Sequence, residues 1–325
     1  ERIESLLNSI RLHYPFQPLF AAVTPPCQPF TRLGRLGRTD ARALQHELDS
    51  TLIIQSLNFV RKFLPEVVIS ENVPGIDSPA YGGVWSEYIS RLEDLGYIVG
   101  DRRVCASNFG VPQYRRRAII VAIRRPVLLP GLKSLRRLEL PDKDPDANVV
   151  SVAEAIGHLP AIEAGASHPE IPNHRTRRLS KINQQRLRVA RPGEPNTVLA
   201  DTVFGDLSLQ CHSRLRKRGT NGSGFTDVYM RMDPDSPSPT ITTKCHSISN
   251  GRFGHYDVNQ IRGISLREAA LLQTFPENYV FYPETAIEPV ARMIGNAVPP
   301  KLARFFARWA LEQLDLNYIR ETRAV

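Results

Sequence analysis

Between residues 19 and 123, short apolar runs alternate with helix-length stretches, and this alternation restricts the fold more than anything else in the chain. Leu19–Val23 and Glu66–Ser70 have the length and composition of buried strands. Between them, 44–63 carries Leu57, Val60 and Phe63 at helical spacing. A helix ending near Leu95 is closed by Gly96, and Ile98–Cys105 and Ala118–Ile123 complete a set of four strands. Strand–helix–strand units of this size predict a mostly parallel sheet covered by helices. Beyond 124 the pattern dissolves. Residues 124–148 read as an irregular connection, Ser151–Leu159 as a short helix, and 160–262 as a small loop-rich domain. Regularity returns at Ser265-Leu266-Arg267-Glu268, a capping box. A last helix over about 300–314 follows, with Leu302, Phe305 and Trp309 as its docking stripe.

At the end of the first strand, Pro25-Pro26-Cys27-Gln28 holds a thiol on a rigid turn. Such a thiol suits a nucleophile, although a small buried Cys beside a tight turn gives the same pattern. Glu71-Asn72-Val73-Pro74-Gly75 follows the second strand, so Cys27 and Glu71 lie at equivalent strand ends and are expected to face one pocket. A carboxyl beside a thiol supplies a proton to a substrate under attack; capping of the turn is the alternative role. In Gln113-Tyr114-Arg115-Arg116-Arg117, alternation sends Arg115 and Arg117 to one face. That places either two carbonyl- or phosphate-binding forks or a solvated basic edge at the lip of the sheet. Asn296 lies in a Gly/Pro-bounded turn, available to a ligand or to the backbone.

The formal charge is +9, with 42 Lys+Arg against 33 Asp+Glu and Arg outnumbering Lys, which is compatible with a polyanionic partner. The four Cys are widely spaced with no CxxC pair, which argues against a disulfide scaffold or zinc ribbon and for a reducing compartment. Cys211-His212 and Cys245-His246 match no usual zinc spacing, so no metal is expected. With no 18-residue apolar span and no signal pattern, the expected setting is soluble and cytoplasmic, away from membranes.

Taken together, the motifs resemble the DNA cytosine-5 methyltransferase family. The resemblance rests on Pro-Cys-Gln at 26–28, Glu-Asn-Val at 71–73, Gln-x-Arg-x-Arg at 113–117, Arg-Glu-Ala-Ala-x-Leu-Gln-x-Phe-Pro at 267–276 and Gly-Asn-Ala-Val at 295–298, in that order. It implies an α/β fold: a Rossmann-like class I methyltransferase sheet, N-terminally incomplete, with a small loop-rich target-recognition domain. The implied boundaries are 1–155 for the catalytic domain, 156–262 for target recognition and 263–325 for the return. It implies attack by Cys27 on C6 of a flipped cytosine, Glu71 at N3, Arg117 on O2, and Arg115 as a brace. S-adenosylmethionine would be the methyl donor, with Thr24, Pro26, Asn296 and Val298 as the near wall of its pocket. Duplex DNA is the implied partner, met by Gln28, by Arg32, Arg35 and Arg38 in a closing loop over 31–50, and by Arg175, Arg177 and Arg178 in the variable segment.

The family's Phe-x-Gly-x-Gly cofactor loop and its acidic ribose contact do not occur in the sequence. The expectation is therefore a lost preceding segment, a second polypeptide that supplies the missing strands, or a degenerate chain. The competing reading is a catalytically silent DNA-binding remnant or one subunit of a split enzyme, and RNA is the weaker substrate. A restriction-modification setting with a cognate endonuclease is implied by the chain's lack of reader domains.

Overall fold

A computed structural model describes residues 2–27, 30, 49, 51–78, 83–209 and 226–323. It divides into two compact units. The first is Glu1–Cys105, Arg116–Asp144 and Ala303–Val325; the second is Ala106–Arg115 and Pro145–Leu302.

The first unit opens with helix α1 (Arg2–His13) and strand β1 (Phe20–Val23). Then come α2 (Leu57–Phe63), β2 (Val67–Asn72), α3 (Val84–Asp94) and β3 (Tyr97–Cys105). After a two-residue strand β4 (Gln113–Tyr114) in the second unit, β5 (Arg116–Arg124) returns to the first. The sheet order is β1-β2-β5-β3. Pairing of β1 with β2 is parallel, but β5 runs antiparallel to both β2 and β3, which corrects the expectation of a mostly parallel sheet. The reason is the link. Ten residues, 106–115, separate β3 from β5, too few for a helical crossover, so the chain doubles back. As a central strand, β5 is buried on both faces, which explains its unbroken run Ala118–Ile123. One face packs Ile53, Leu57, Val60, Trp85, Tyr88 and Leu92 from the helices against Val68, Ile120 and Ala122.

The last turns of the first unit are stapled by Glu66. Its carboxylate accepts from Leu19 N at the entry to β1 and from Arg323 Nη2 near the end of the chain, at 2.7 and 2.6 Å.

The second unit contains α4 (Val152–Ile156), α5 (Lys181–Val189), strand β6 (Ser238–Pro239) paired with β4, α6 (Leu266–Leu272) and α7 (Ile287–Asn296). The capping box predicted at Ser265 and Glu268 is present in both directions. Asn296 is the last residue of α7 rather than part of a turn. The stripe Val290, Ala291 and Ile294 builds that helix up to Gly295-Asn296. Helix α8 (Pro300–Glu312) buries Leu302, Phe306 and Ala310, so the docking stripe is displaced from Phe305 and Trp309, which are half-buried at its flank. A final helix α9 (Leu316–Arg323) lies beyond the predicted end of regular structure. None of the described helices is long and apolar enough to cross a membrane.

Candidate active site

Strand register places three predicted residues along one edge of the first unit's sheet. Because β1 and β2 are parallel with Val23 opposite Ser70, the chain leaves β1 one residue before the level of Glu71 and reaches Cys27 four residues after Val23. Antiparallel β5 starts at this same edge. Asn72 pairs with Ala118, so Arg117 lies beside the end of β2. Cys27 is half-buried.

The Pro25–Cys27 turn is clamped to the Glu-Asn-Val segment. Asn72 Nδ2 donates to Pro25 O at 3.4 Å while its Oδ1 accepts from Val73 N at 2.8 Å. Cys27 O accepts from Phe30 N at 3.1 Å, closing the turn around the thiol. A Cβ on Gly75 would sit 2.2 Å from Phe30 O, so the motif's glycine is required for backbone to pass against backbone. Gly75→Ala is therefore expected to displace the Cys27 turn and to lower turnover by roughly 10²-fold, the cost of about an ångström of misplacement. Steady-state activity assays on the folded variant check this.

Glu71 and Arg117 form the polar half of the edge. Arg117 Nε lies 2.6 Å from Glu71 Oε1, and the side chains are only 10% and 11% exposed. The contact is too far out of line for a hydrogen bond, and Oε1 has no hydrogen-bond partner among the described residues. The charge of Arg117 therefore engages this buried oxygen without a hydrogen bond. Arg117 Nη1 donates to Arg116 O at 2.7 Å, which fixes the guanidinium beside the carboxylate.

In the second unit, three further motifs interlock. Gln113 Nε2 donates to Leu272 O and Gln273 Oε1, and its Oε1 accepts from Ile241 N. Gln273 Nε2 donates to Ile294 O at 2.6 Å. Arg115 donates to Ile241 O, Gly295 O and Ala297 O, at 3.1 to 3.4 Å. A Cβ on Gly295 would meet the Thr242–Thr243 backbone at 2.3 Å, so glycine lets α7 lie directly on that segment. Arg115 thus reaches backbone carbonyls of the Gly-Asn-Ala-Val segment, whereas Arg117 belongs to the sheet edge.

Of the proposed cofactor residues, Thr24, Pro26 and Asn296 are exposed and Val298 is half-buried. Arg175 Nη1 is held by Thr285 O at 2.9 Å, while Arg177 and Arg178 line a cavity in the second unit. Gln28, Arg32, Arg35, Arg38 and the loop at 31–50, apart from Asp49, lie outside the described residues, as do Cys211 and His212. Among the described residues no group of His, Cys, Asp and Glu side chains is arranged to hold a metal ion. Cys245 is buried, which pushes its thiol up to about 12.

The C-5 cytosine-specific DNA methylase family model matches residues 18–311. The chain belongs to this family. It is 35% identical over 285 residues to the type II methylase M.HgiDII of Herpetosiphon aurantiacus, covering 87% of this chain and 73% of the relative. It is 29% identical to the type II methyltransferase M1.HphI of Haemophilus parahaemolyticus, covering 89% of this chain and 67% of the relative. In fold it is similar to a putative DNA modification methyltransferase encoded within a prophage of E. coli, with a TM-score of 0.61 at 21% identity, covering 94% of this chain and 82% of that one. As a cytosine-5 DNA methyltransferase, the chain transfers a methyl group to C5 of a cytosine flipped out of DNA.

The methyltransferase also buries arginines whose structural role the sequence does not announce. Arg231 is fully buried and donates to six carbonyls, those of Leu187, Ala190, His255, Asp257, Val258 and Gln260. Burial pushes its pKa down to about 10. Arg267 gathers Pro172 O, Pro276 O and Tyr279 O in the same way. Arg186, within the basic run at 173–193, is buried as well. It donates to Leu207 O and lies 4.2 Å from the centre of the Tyr229 ring. These cations tie loops together where regular structure is sparse.

Proposed function

We propose that Cys27, Glu71 and Arg117 carry the methyltransferase reaction, and the shared sheet edge is the observation that supports this. The Cys27 thiol gives up its proton to solvent, Sγ bonds to C6 of the flipped cytosine, and the C5–C6 π pair is pushed towards C5 and the N3–C4 system. Glu71, in its protonated form, donates that proton to N3 as negative charge moves there and takes it back when the ring is restored. Arg117 takes the O2 carbonyl, and its close but misaligned approach to Glu71 leaves the carboxyl able to turn to the base. Once C5 is methylated, its remaining proton leaves to solvent, the Sγ–C6 bond breaks and the aromatic ring is restored. Arg115 braces the Gly-Asn-Ala-Val segment through its carbonyl contacts.

Family membership implies S-adenosylmethionine, which supplies an electrophilic methyl group. Thr24 and Pro26 in the first unit, and Asn296 and Val298 in the second, are the residues assigned to that ligand. They offer short side chains that are exposed or half-buried, but no acidic group for a ribose. The outer edge of β1, unpaired among the described residues, is where a further strand, from this or another polypeptide, would complete the pocket. Residues 156–262 are the target-recognition domain, with Arg175, Arg177 and Arg178 at DNA; Gln28, Arg32, Arg35 and Arg38 contact it from the nucleophile side. The two type II relatives support a restriction-modification setting with a cognate endonuclease.

The test is Glu71→Gln. Methyl transfer into duplex DNA, measured with labelled S-adenosylmethionine, should fall about 10²- to 10⁴-fold with little change in DNA affinity. Unchanged turnover would remove Glu71 from the reaction.

A further inference from the structure

In the second unit, a cavity of about 410 Å³ is lined by Arg177, Arg178, Asn183, Lys244, His246 and Asn250, among others. Its cations are not idle. Arg177 Nη1 lies 3.6 Å from Glu288 Oε1, and Lys244 Nζ lies 3.7 Å from Glu288 Oε2. One carboxylate therefore bridges two cations that come from segments some seventy residues apart, and all three side chains are about half exposed. Glu288 sits in the first turn of the ten-residue α7, where the helix dipole favours a negative charge. Arg177 Nη1 also reaches His246 Nδ1 at 3.4 Å. Burial, with a contribution from Arg177, keeps that imidazole below its usual pKa, so it accepts from the guanidinium instead of repelling it.

A DNA phosphate presents the same chemistry as this carboxylate, namely anionic oxygens for a guanidinium and an ammonium. Ion pairs this exposed contribute little to stability and exchange readily. We propose that Glu288 is a specificity-determining residue: it occupies Arg177 and Lys244 in the DNA-free protein and yields them to a backbone phosphate, which suppresses binding to non-target duplex. Non-specific affinity comes almost wholly from phosphate neutralisation. An internal competitor for two cations therefore weakens the non-specific mode first. Complexes that gain base-edge contacts tolerate the competition. The inference rests on the reading of this unit as DNA-binding.

The experiment is titration of the full chain with a mixed-sequence duplex of about 20 base pairs over a range of salt concentrations. Glu288→Gln should tighten binding about 3- to 10-fold at low salt and steepen the slope of log K against log salt by about 1. Arg177→Ala with Lys244→Ala should make the slope shallower by about 2 and abolish the effect of Glu288→Gln. Three outcomes overturn the proposal: unchanged or weaker binding by folded Glu288→Gln protein, the same gain from E288Q in the double-alanine background, or no change of slope in that background. In the last case, the reading of the chain as a methyltransferase stands. If the wild-type chain binds no duplex, the reading of this unit as DNA-binding and the proposal fail together.

Discussion

Methyl transfer by the Cys27→Ala variant is expected to fall by at least about 10³-fold, to the background of the assay. Binding of duplex DNA should change by less than about threefold, because phosphate contacts dominate affinity. The size of the effect follows from what the thiol does. Cytosine C5 is a poor nucleophile until C6 is saturated, and in the proposed mechanism Cys27 forms that bond. In the proposed mechanism Glu71 and Arg117 stabilise charge and do not create the reactive ring. The measurement is single-turnover transfer of a labelled methyl group. It separates chemistry from product release, so a loss of rate cannot be attributed to slow dissociation. Cys27→Ser should recover little, since a hydroxyl is much less nucleophilic than a thiol near neutral pH.

The second large effect lies in the buried network at the start of α6. Arg262 and Glu268 form a two-pronged pair at 2.8 and 2.7 Å, with both side chains 1% exposed. Glu268 also accepts from Ser265 N at 2.6 Å, and His255 Nε2 lies 3.5 Å away. Burial alone would raise the carboxyl, but the Arg262 hydrogen bonds and charge, with His255, hold it well below the usual carboxylate range. The sign follows directly. A depressed folded pKa contributes stability that is complete above the ordinary carboxylate value and is lost only as pH falls towards the folded one. Arg262→Met leaves Glu268 charged and unpaired in the interior and should cost about 3–5 kcal/mol. Hydrogen-exchange protection of the α6 amides reads this cost locally, without assuming that the two units unfold together. Adding Glu268→Met should return a large part of it, because a well-packed apolar pair carries no desolvation penalty. A double variant as unstable as the single would show that the network holds the helix by shape, not by charge.

How much of this was legible in the sequence differs from residue to residue. Cys27 and Glu71 were, because strand length and a proline-bounded exit fix where a chain leaves a sheet, and neighbouring parallel strands leave at the same edge. Strand order was not. Nothing local in Ala118–Ile123 says that it inserts between β2 and β3, so the sheet reads as parallel from sequence and is mixed in fact. Asn296 was misread because Gly295 and Pro299 suggested a turn, whereas Val290, Ala291 and Ile294 already carried the helical period. The arginines show the firmest limit. Arg177 and Arg186 lie in one basic run, yet the first lines an open cavity and the second is buried against Tyr229. Charge counting cannot separate them, since a guanidinium satisfied by carbonyls and one awaiting a phosphate are the same residue in sequence. Arg231 and Arg262 carried no local signal at all. Their partners are brought together only by the folded loops.

The central claim is that Cys27, beside Glu71 and Arg117, makes a covalent bond to a single extruded cytosine. The most direct measurement is incubation with S-adenosylmethionine and a duplex carrying 5-fluorocytosine at the target position, followed by peptide mapping. Fluorine at C5 blocks the proton loss that would release the enzyme. The account predicts a stable DNA adduct on the peptide containing Cys27, absent from Cys27→Ala. Methylation of the ordinary duplex with no adduct formed, or an adduct on Cys105 or Cys245 instead, would contradict it.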